Sequence, residues 1–279
     1  MFGREKIEYK TPEQVSCMRR AGLVVAAALR AVEDAAAAGL TTADLDAVAA
    51  AVIADAGATA SFLGYEGFPA TVCVSVNDAV IHGIPGGRVL VDGDLVSVDC
   101  GAIVDGWHAD AAVSFVVGGE AAADPRDLAL IRATDDALWA GVAALASGER
   151  LSAVANAVDD SITEAAERDG ARYGIVEDYV GHGIGTAMHQ PPDVLNYRTR
   201  ERGAKIRPGM CLAVEPMVTR GDQLTHVCED DWTVVSSDGS RAAHWEHTVA
   251  ILEDGLWVLT AEDGGAARLA ALGVEIAPV

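Results

Sequence analysis

Residues 95–117 read Leu-Val-Ser-Val-Asp-Cys-Gly-Ala-Ile-Val-Asp-Gly-Trp-His-Ala-Asp-Ala-Ala-Val-Ser-Phe-Val-Val. The apolar runs at 95–104 and 111–117 predict two strands, and Asp105-Gly106 between them is a strong turn dipeptide. This is the pattern of an antiparallel hairpin. Two of its residues do not suit a core: Asp99 sits inside the first run, and Asp110 just before the second. With an even-numbered loop, cross-strand partners have an odd index sum, and the sum of 99 and 110 is odd. Both carboxylates therefore lie on one face, opposite or diagonal. Two close carboxylates raise each other's pKa unless a cation sits between them, and a divalent metal removes that conflict.

Outward from the hairpin, the N-terminal side reads as helix. Thr11 can cap, Pro12 suits the first helical position, and Glu13 favours the positive end of the dipole. The apolar run continues to Ala38, and Gly39 stops it. Thr42 begins a second helix with Leu45, Val48, Ala49, Val52 and Ile53 at helical spacing, ended by Gly57. Residues 71–77 are β-branched and predict a strand. On the C-terminal side, helices are expected at about 126–147 and 152–168. Strands follow at 211–215, 232–236, 243–252 and 256–260, with a short Ala-rich helix after Glu262. A faint repeat links the halves. Gly39 is followed by Leu45, Val48 and Ile53, and Gly148 by Val154, Ala157 and Ile162 at the same offsets. The reading is one α+β domain over 1–279, with pseudo-symmetric halves at roughly 12–118 and 126–262 and the cleft between them.

Composition narrows the function. Forty-two acidic residues stand against 20 basic ones, a formal net charge of −22. That balance excludes a phosphate-neutralising nucleic-acid binder and a protein held by an anionic membrane surface. Hydrophobic residues make up 51% of the chain, enough for a sizeable core. No apolar run approaches the roughly 20 residues of a membrane helix. Met1 to Lys10 is charged and lacks the apolar segment of a secretory signal. The five cysteines include no CxxC pair, which speaks against a disulfide framework or a structural zinc site. The cytoplasm is the expected compartment.

Further chemistry-bearing residues lie downstream. Gly181-His182-Gly183-Ile184-Gly185 presents a histidine on a loop of close-approaching backbone, a plausible ligand or acid–base group. His189 follows beside Pro191-Pro192. Glu215 ends the apolar run 210–214, and Glu246 lies in the apolar segment 243–251; a charge so placed is costly unless compensated. Singly, each has a bland account in a solvated hairpin end, a loop or an edge salt bridge. Together, two Asp, two Glu and one His suit Mn²⁺, Fe²⁺, Co²⁺ or Zn²⁺. Four carboxylates over-charge one divalent ion and balance two.

The ordered set of motifs resembles the methionine aminopeptidases of type I, with the pita-bread metallopeptidase fold. The matching pieces are residues 63–69 (Leu-Gly-Tyr-Glu-Gly-Phe-Pro), 74–77, 81–85 (Ile-His-Gly-Ile-Pro), 98–101 and 105–110. The series continues with 181–185, Glu215-Pro216-Met217, 232–234 and Glu246-His247-Thr248. The resemblance implies a curved antiparallel sheet flanked by helices and two divalent ions of undetermined identity. The ligands it implies are Asp99, Asp110, His182, Glu215 and Glu246. In that scheme Asp110 and Glu246 bridge, Asp99 binds one ion through both oxygens, and His182 and Glu215 complete the other. It also implies Glu215 as proton shuttle, and His82 and His189 as residues that bind the substrate backbone or stabilise the oxyanion. Tyr65, Cys73 and Trp232 match the lining of the methionine pocket, with Phe62 and Met188 as adjacent candidates.

The implied reaction removes an N-terminal methionine, preferring a small second residue, through attack of metal-activated water on the first peptide bond. The implied partner is the amino terminus of nascent chains, met in transient association with the ribosome, by a monomeric enzyme. Ala109, Ala112, Val113, Asp231 and His244-Trp245 depart from the usual pattern, and none of these removes a ligand. Twenty-five residues separate His189 from Glu215, too few for the helical insertion of type II enzymes. An X-Pro aminopeptidase or prolidase would need an N-terminal domain, for which Asp99 comes too early. A binding protein that has lost catalysis would have lost ligands, and all five are present.

Overall fold

The structure, a computed structural model, describes residues 6–278. Helix α1 (Pro12–Ala35) begins in a capping box: the Gln14 N–H donates to Thr11 Oγ1 and the Thr11 N–H to Gln14 Oε1. It stops short of the expected Ala38, where Gly39 turns the chain and donates its N–H to the Leu90 carbonyl at 2.9 Å. Helix α2 (Thr42–Asp55) is capped by Thr41, which forms a second box with Asp44.

After β1 (Thr59–Ala60), β2 (Val72–Val76) and β3 (Ala79–Ile81) comes the long hairpin of β4 (Leu95–Val104) and β5 (Trp107–Val116). Its turn has φ of 51° at Asp105 and 82° at Gly106, the left-handed pair that a two-residue hairpin requires. The second strand starts earlier than the sequence pattern suggests, so Asp110 lies inside it. Trp107 and His108 stand outside the apolar run read from the sequence, yet they pair with Val104 and Ile103.

Helices α3 (Pro125–Ser147) and α4 (Ser152–Asp169) follow, then β6 (Gly174–Ile175), β7 (Gly181–Gly183), β8 (Gln190–Val194), β9 (Cys211–Val214) and β10 (Met217–Thr219). The remainder is β11 (Thr225–Val227), β12 (Val234–Ser236), β13 (Ala242–His244), β14 (Glu246–Leu252), β15 (Gly255–Val258) and α5 (Ala266–Ala271). The single strand expected over 243–252 is two strands, broken at Trp245, whose N–H turns to the Pro216 carbonyl.

Nine strands form one antiparallel sheet in which β1-β4-β5-β14-β9-β7-β8 are successive neighbours, with β2 on β4 and β15 on β14. Alternation assigns its faces. Val96, Val98 and Cys100 of β4, with Ala109, Ala111 and Phe115 of β5, pack on Val25, Leu29 and Leu45 of α1 and α2. Leu212 and Val214 of β9, with Val249 and Ile251 of β14, pack beneath Leu138, Val142 and Val158 of α3 and α4. Each helix pair covers its part of one face, and the intervening residues turn to the other. Two three-stranded sheets, β13-β10-β6 and β11-β12-β3, carry or adjoin His244, His82 and Trp232.

Candidate active site

Five neighbouring strands each bring one residue to the uncovered face. In the β4–β5 ladder Asp99 pairs with Ala112 and Asp110 with Gly101, so the two carboxylates are diagonal on one face. Glu246 opens β14 opposite the same Ala112. Glu215 follows β9, one residue beyond the His247–Val214 pair, and so stands across from Glu246. His182 is the centre of β7.

The loop reading of residues 181–185 is therefore corrected: His182 sits in a short buried strand between β8 and β9. Its glycines serve close packing. A Cβ on Gly181 would meet the Ala213 carbonyl at 2.4 Å, and one on Gly183 the Pro191 carbonyl at 2.3 Å. The His182 Nδ1–H donates to the Gly183 carbonyl at 2.9 Å. This leaves the Nε2 lone pair free, 3.4 Å from Glu215 Oε1.

Donor atoms of Asp110, His182 and Glu246 lie within 4.8 Å of one another, and so do those of Glu215, His244 and Glu246. Asp110, His182 and Glu246 are buried; Asp99 and Glu215 are half-buried. Burial first, then the neighbouring acids, pushes Asp99 and Glu246 well above the usual carboxylate range. Glu215 is raised in the same way by burial and Asp110, and burial brings Asp110 to about 7. Burial lowers His182 and His244 to about 3, so both are neutral. Asp99 Oδ1, Asp110 Oδ1 and Glu246 Oε1 are buried without a hydrogen-bond partner. Neighbouring oxygens of this kind, beside a free imidazole nitrogen, fit a divalent cation of the Mn–Zn series.

The sign of this strain is testable. A carboxyl raised in the fold contributes stability below its ordinary pKa that is lost as pH rises through the folded value, about 7 for Asp110. In metal-free protein Asp99→Asn is expected to raise Tm, by about 2–4 °C per kcal/mol relieved. The gain over the parent should widen from pH 5 to pH 8 and reverse when metal is added to both. Melting curves in chelator at the two pH values measure it; a lower Tm for the variant at pH 8 contradicts it.

A cavity of ≈ 170 Å³ opens on these carboxylates. All twelve residues singled out from the sequence line it: the five above with His82, His189, Phe62, Tyr65, Cys73, Met188 and Trp232. Glu66 and Phe68 join them and were not singled out, although both lie in the quoted 63–69 motif. Its size is below the roughly 300 Å³ of drug-sized sites, which suits one side chain. Phe68 stacks edge-on to Phe62 and Trp232, with centroids 6.5 and 5.0 Å apart. Tyr65 Oη and His189 Nδ1 share a 2.8 Å hydrogen bond, and the His189 ring lies 4.4 Å from that of His182. Asp231 adopts φ 62°, a conformation that favours glycine and that Asp tolerates better than most residues. Asp230 Oδ1 then accepts from the Trp232 and Thr233 N–H groups and fixes the approach to Trp232.

The model of metallopeptidase family M24 matches residues 16–253, and the chain belongs to that family. Family membership implies divalent-metal use, and the relatives that match nearly the whole chain include methionine aminopeptidases. Methionine aminopeptidase 1 of Mycobacterium tuberculosis is 50% identical over 259 residues, spanning 92% of this chain and 96% of the relative. A methionine aminopeptidase of Clostridium acetobutylicum is 47% identical over 254 residues, 90% of this chain and 97% of that one. The structure of the Thermotoga maritima methionine aminopeptidase matches with a TM-score of 0.85 at 40% identity, over 92% of this chain and all of the other. A prolidase of Pyrococcus furiosus, 19% identical with a TM-score of 0.67, shares the fold alone; 65% of its length is covered. The pita-bread fold expected from the sequence is the fold found. Among the described residues no helix is long and apolar enough to cross a membrane.

Proposed function

We propose that the chain cleaves the first peptide bond of newly made proteins that begin with methionine, using two divalent ions. The observation that carries this reading is the convergence of four carboxylates and His182 on a small aromatic cavity. Asp99, Asp110, His182, Glu215 and Glu246 would hold the ions, Asp110 and Glu246 contributing to both, Asp99 to one, and His182 with Glu215 to the other. When bound, the ions polarise the scissile carbonyl and activate a water nucleophile.

The remaining work falls to side chains. Glu215, at the cavity beside His182, would take a proton from the attacking water and return it to the leaving amine. His82 and His189 stand at the cavity where the substrate backbone passes and donate to its developing oxyanion. Phe62, Tyr65, Phe68, Cys73, Met188 and Trp232 surround the methionine side chain; sulfur–aromatic contacts favour a thioether there.

The test is competition among Met-Ala-Ser, norleucine-Ala-Ser, Leu-Ala-Ser, Pro-Ala-Ser, Met-Leu-Ser and N-acetyl-Met-Ala-Ser under one metal loading. A pocket of this kind discriminates by about 1–3 kcal/mol per methylene, so norleucine should be tolerated and leucine cleaved more slowly. Proline at the first position and the acetylated amine should be rejected, and Met-Leu-Ser should lag behind Met-Ala-Ser. Cleavage of Pro-Ala-Ser or the acetylated peptide at the rate of Met-Ala-Ser would sink the substrate assignment.

A further inference from the structure

His244 has no part in the ligand set or the mechanism above, yet it lies inside the same centre. It ends β13 opposite Met217 of β10. Its backbone is clamped from the hairpin: Ser114 Oγ donates to the His244 carbonyl at 2.8 Å and accepts from its N–H at 2.9 Å. The side chain is 1% exposed, and neither ring nitrogen has a hydrogen-bond partner. A buried N–H left unpaired costs about 1–3 kcal/mol.

The ring faces a carboxylate. His244 Nε2 lies 3.9 Å from Glu215 Oε2, while the other oxygen of Glu215, Oε1, lies 3.4 Å from His182 Nε2. The two oxygens of Glu215 are thus divided, one toward the ligand cluster and one toward His244. We propose that His244 is a positioning residue of the metal centre: its Nε2–H donates to Glu215 Oε2 and leaves Oε1 to the cation beside His182. The proposal rests on the ligand set given above. At 3.9 Å the pair lies just beyond hydrogen-bond length, and movement of the Glu215 carboxylate toward His244 would close it. Groups that hydrogen-bond to a metal ligand from behind fix its orientation, and their removal weakens metal binding by about 10–100-fold. A clamped backbone beneath an otherwise unpaired imidazole suits that duty, because the donor stays in place whether or not Glu215 is engaged.

The test compares the parent with His244→Leu, His244→Gln and Glu246→Ala by chelator-competition titration of Mn²⁺ and by the visible spectrum of Co²⁺-loaded protein. His244→Leu, of similar bulk and without a donor, is expected to bind the weaker ion about 10–100-fold less tightly and to shift the Co²⁺ bands. His244→Gln, whose amide can donate, should recover most of the affinity. Metal affinity and spectrum unchanged in His244→Leu would overturn the proposal, as would a Gln variant no better than Leu, which would make the imidazole a direct ligand. A second readout needs no variant: in Zn²⁺-loaded parent labelled with ¹⁵N-histidine, His244 Nε2 should carry a proton, and a proton-free Nε2 overturns the assignment. Glu246→Ala separates the two readings. Metal lost there but unchanged in His244→Leu rejects His244 alone, whereas metal retained in Glu246→Ala rejects the ligand set itself.

Discussion

Asp110→Asn and Glu246→Ala, reconstituted with Mn²⁺ or Co²⁺ and dialysed, should lose both ions and nearly all turnover. The reason is position. Asp110 and Glu246 stand on adjacent strands, are 4% and 2% exposed, and each has an oxygen that no group of the protein satisfies. Both belong to the compact donor group with His182, and on the sheet Asp110 lies diagonal to Asp99 while Glu246 stands across from Glu215, so each adjoins further ligands. Removing a shared oxygen therefore affects two ions where a terminal ligand affects one. Metal polarisation is worth several kcal/mol of barrier, and each 1.4 kcal/mol is tenfold, so a loss of at least about 10³-fold in kcat/KM is expected. Asn preserves the shape of Asp, and its backbone bonds to Thr248 remain available, so the fold should survive. Elemental analysis beside peptide hydrolysis measures both quantities. Two ions per chain with normal turnover in either variant would refute the bridging role.

The parts of this centre that the sequence reveals are those with a strong local signal. Asp99 and Asp110 are legible because a ten-residue apolar strand, a left-handed turn dipeptide and the alternation rule together place both on one face. Asp99 and Glu215 stand out as charges in apolar runs, the anomaly that burial makes costly. Glu246 is legible as a residue, but its strand boundary is not. His244 and Trp245 continue the apolar pattern without a break, and only the long-range bond from Trp245 to Pro216 splits the run.

His182 fails differently. Three glycines in five residues predict a loop, and the structure uses Gly181 and Gly183 to let β7 approach β9 and β8. A close approach is a property of two segments far apart in sequence, and one segment cannot announce it. The short strands β3, β6, β10 and β13, of two or three residues each, carry too little period-two pattern to be read. His244, read from the sequence only as a departure from a family pattern, is visible as a member of the centre only when β10 pairs with β13. Asp231 shows the converse. The sequence marks it only as a departure from the family pattern, and the constraint on that place, a φ of 62° that favours glycine, is evident only in the folded chain.

His82→Ala should keep its metals and lose turnover. His82 follows the last residue of β3 with φ 57°, a conformation uncommon for a residue with a side chain and one that persists only where the surroundings impose it. The next residue shows what imposes it. Gly83 is pressed against β2 so closely that a Cβ would meet the Val74 carbonyl at 2.3 Å, and its N–H donates to Ser75 Oγ at 3.1 Å. The turn aims the imidazole into the cavity, edge-on to Tyr179 and Trp232 at 5.5 and 6.2 Å. Burial, with His189 nearby, brings its pKa to about 4, so at neutral pH the ring is uncharged and acts as a hydrogen-bonding group. Among the described residues His82 belongs to neither compact cluster of metal-donor atoms, so its loss should leave ion stoichiometry intact. A positioned group that binds charge developing in the transition state is worth about 10²-fold or more in kcat. The fall should appear in kcat and kcat/KM alike, with KM little changed, because the interaction is made in the transition state and not with bound substrate. His82→Asn serves as the backbone control, since Asn tolerates a positive φ better than Ala and shares the loss of the imidazole. Both variants should be about equally slow, with the Asn variant the more stable to heat. Loss of metal from either would make His82 a ligand, and turnover within about twofold of the parent would remove it from the chemistry altogether.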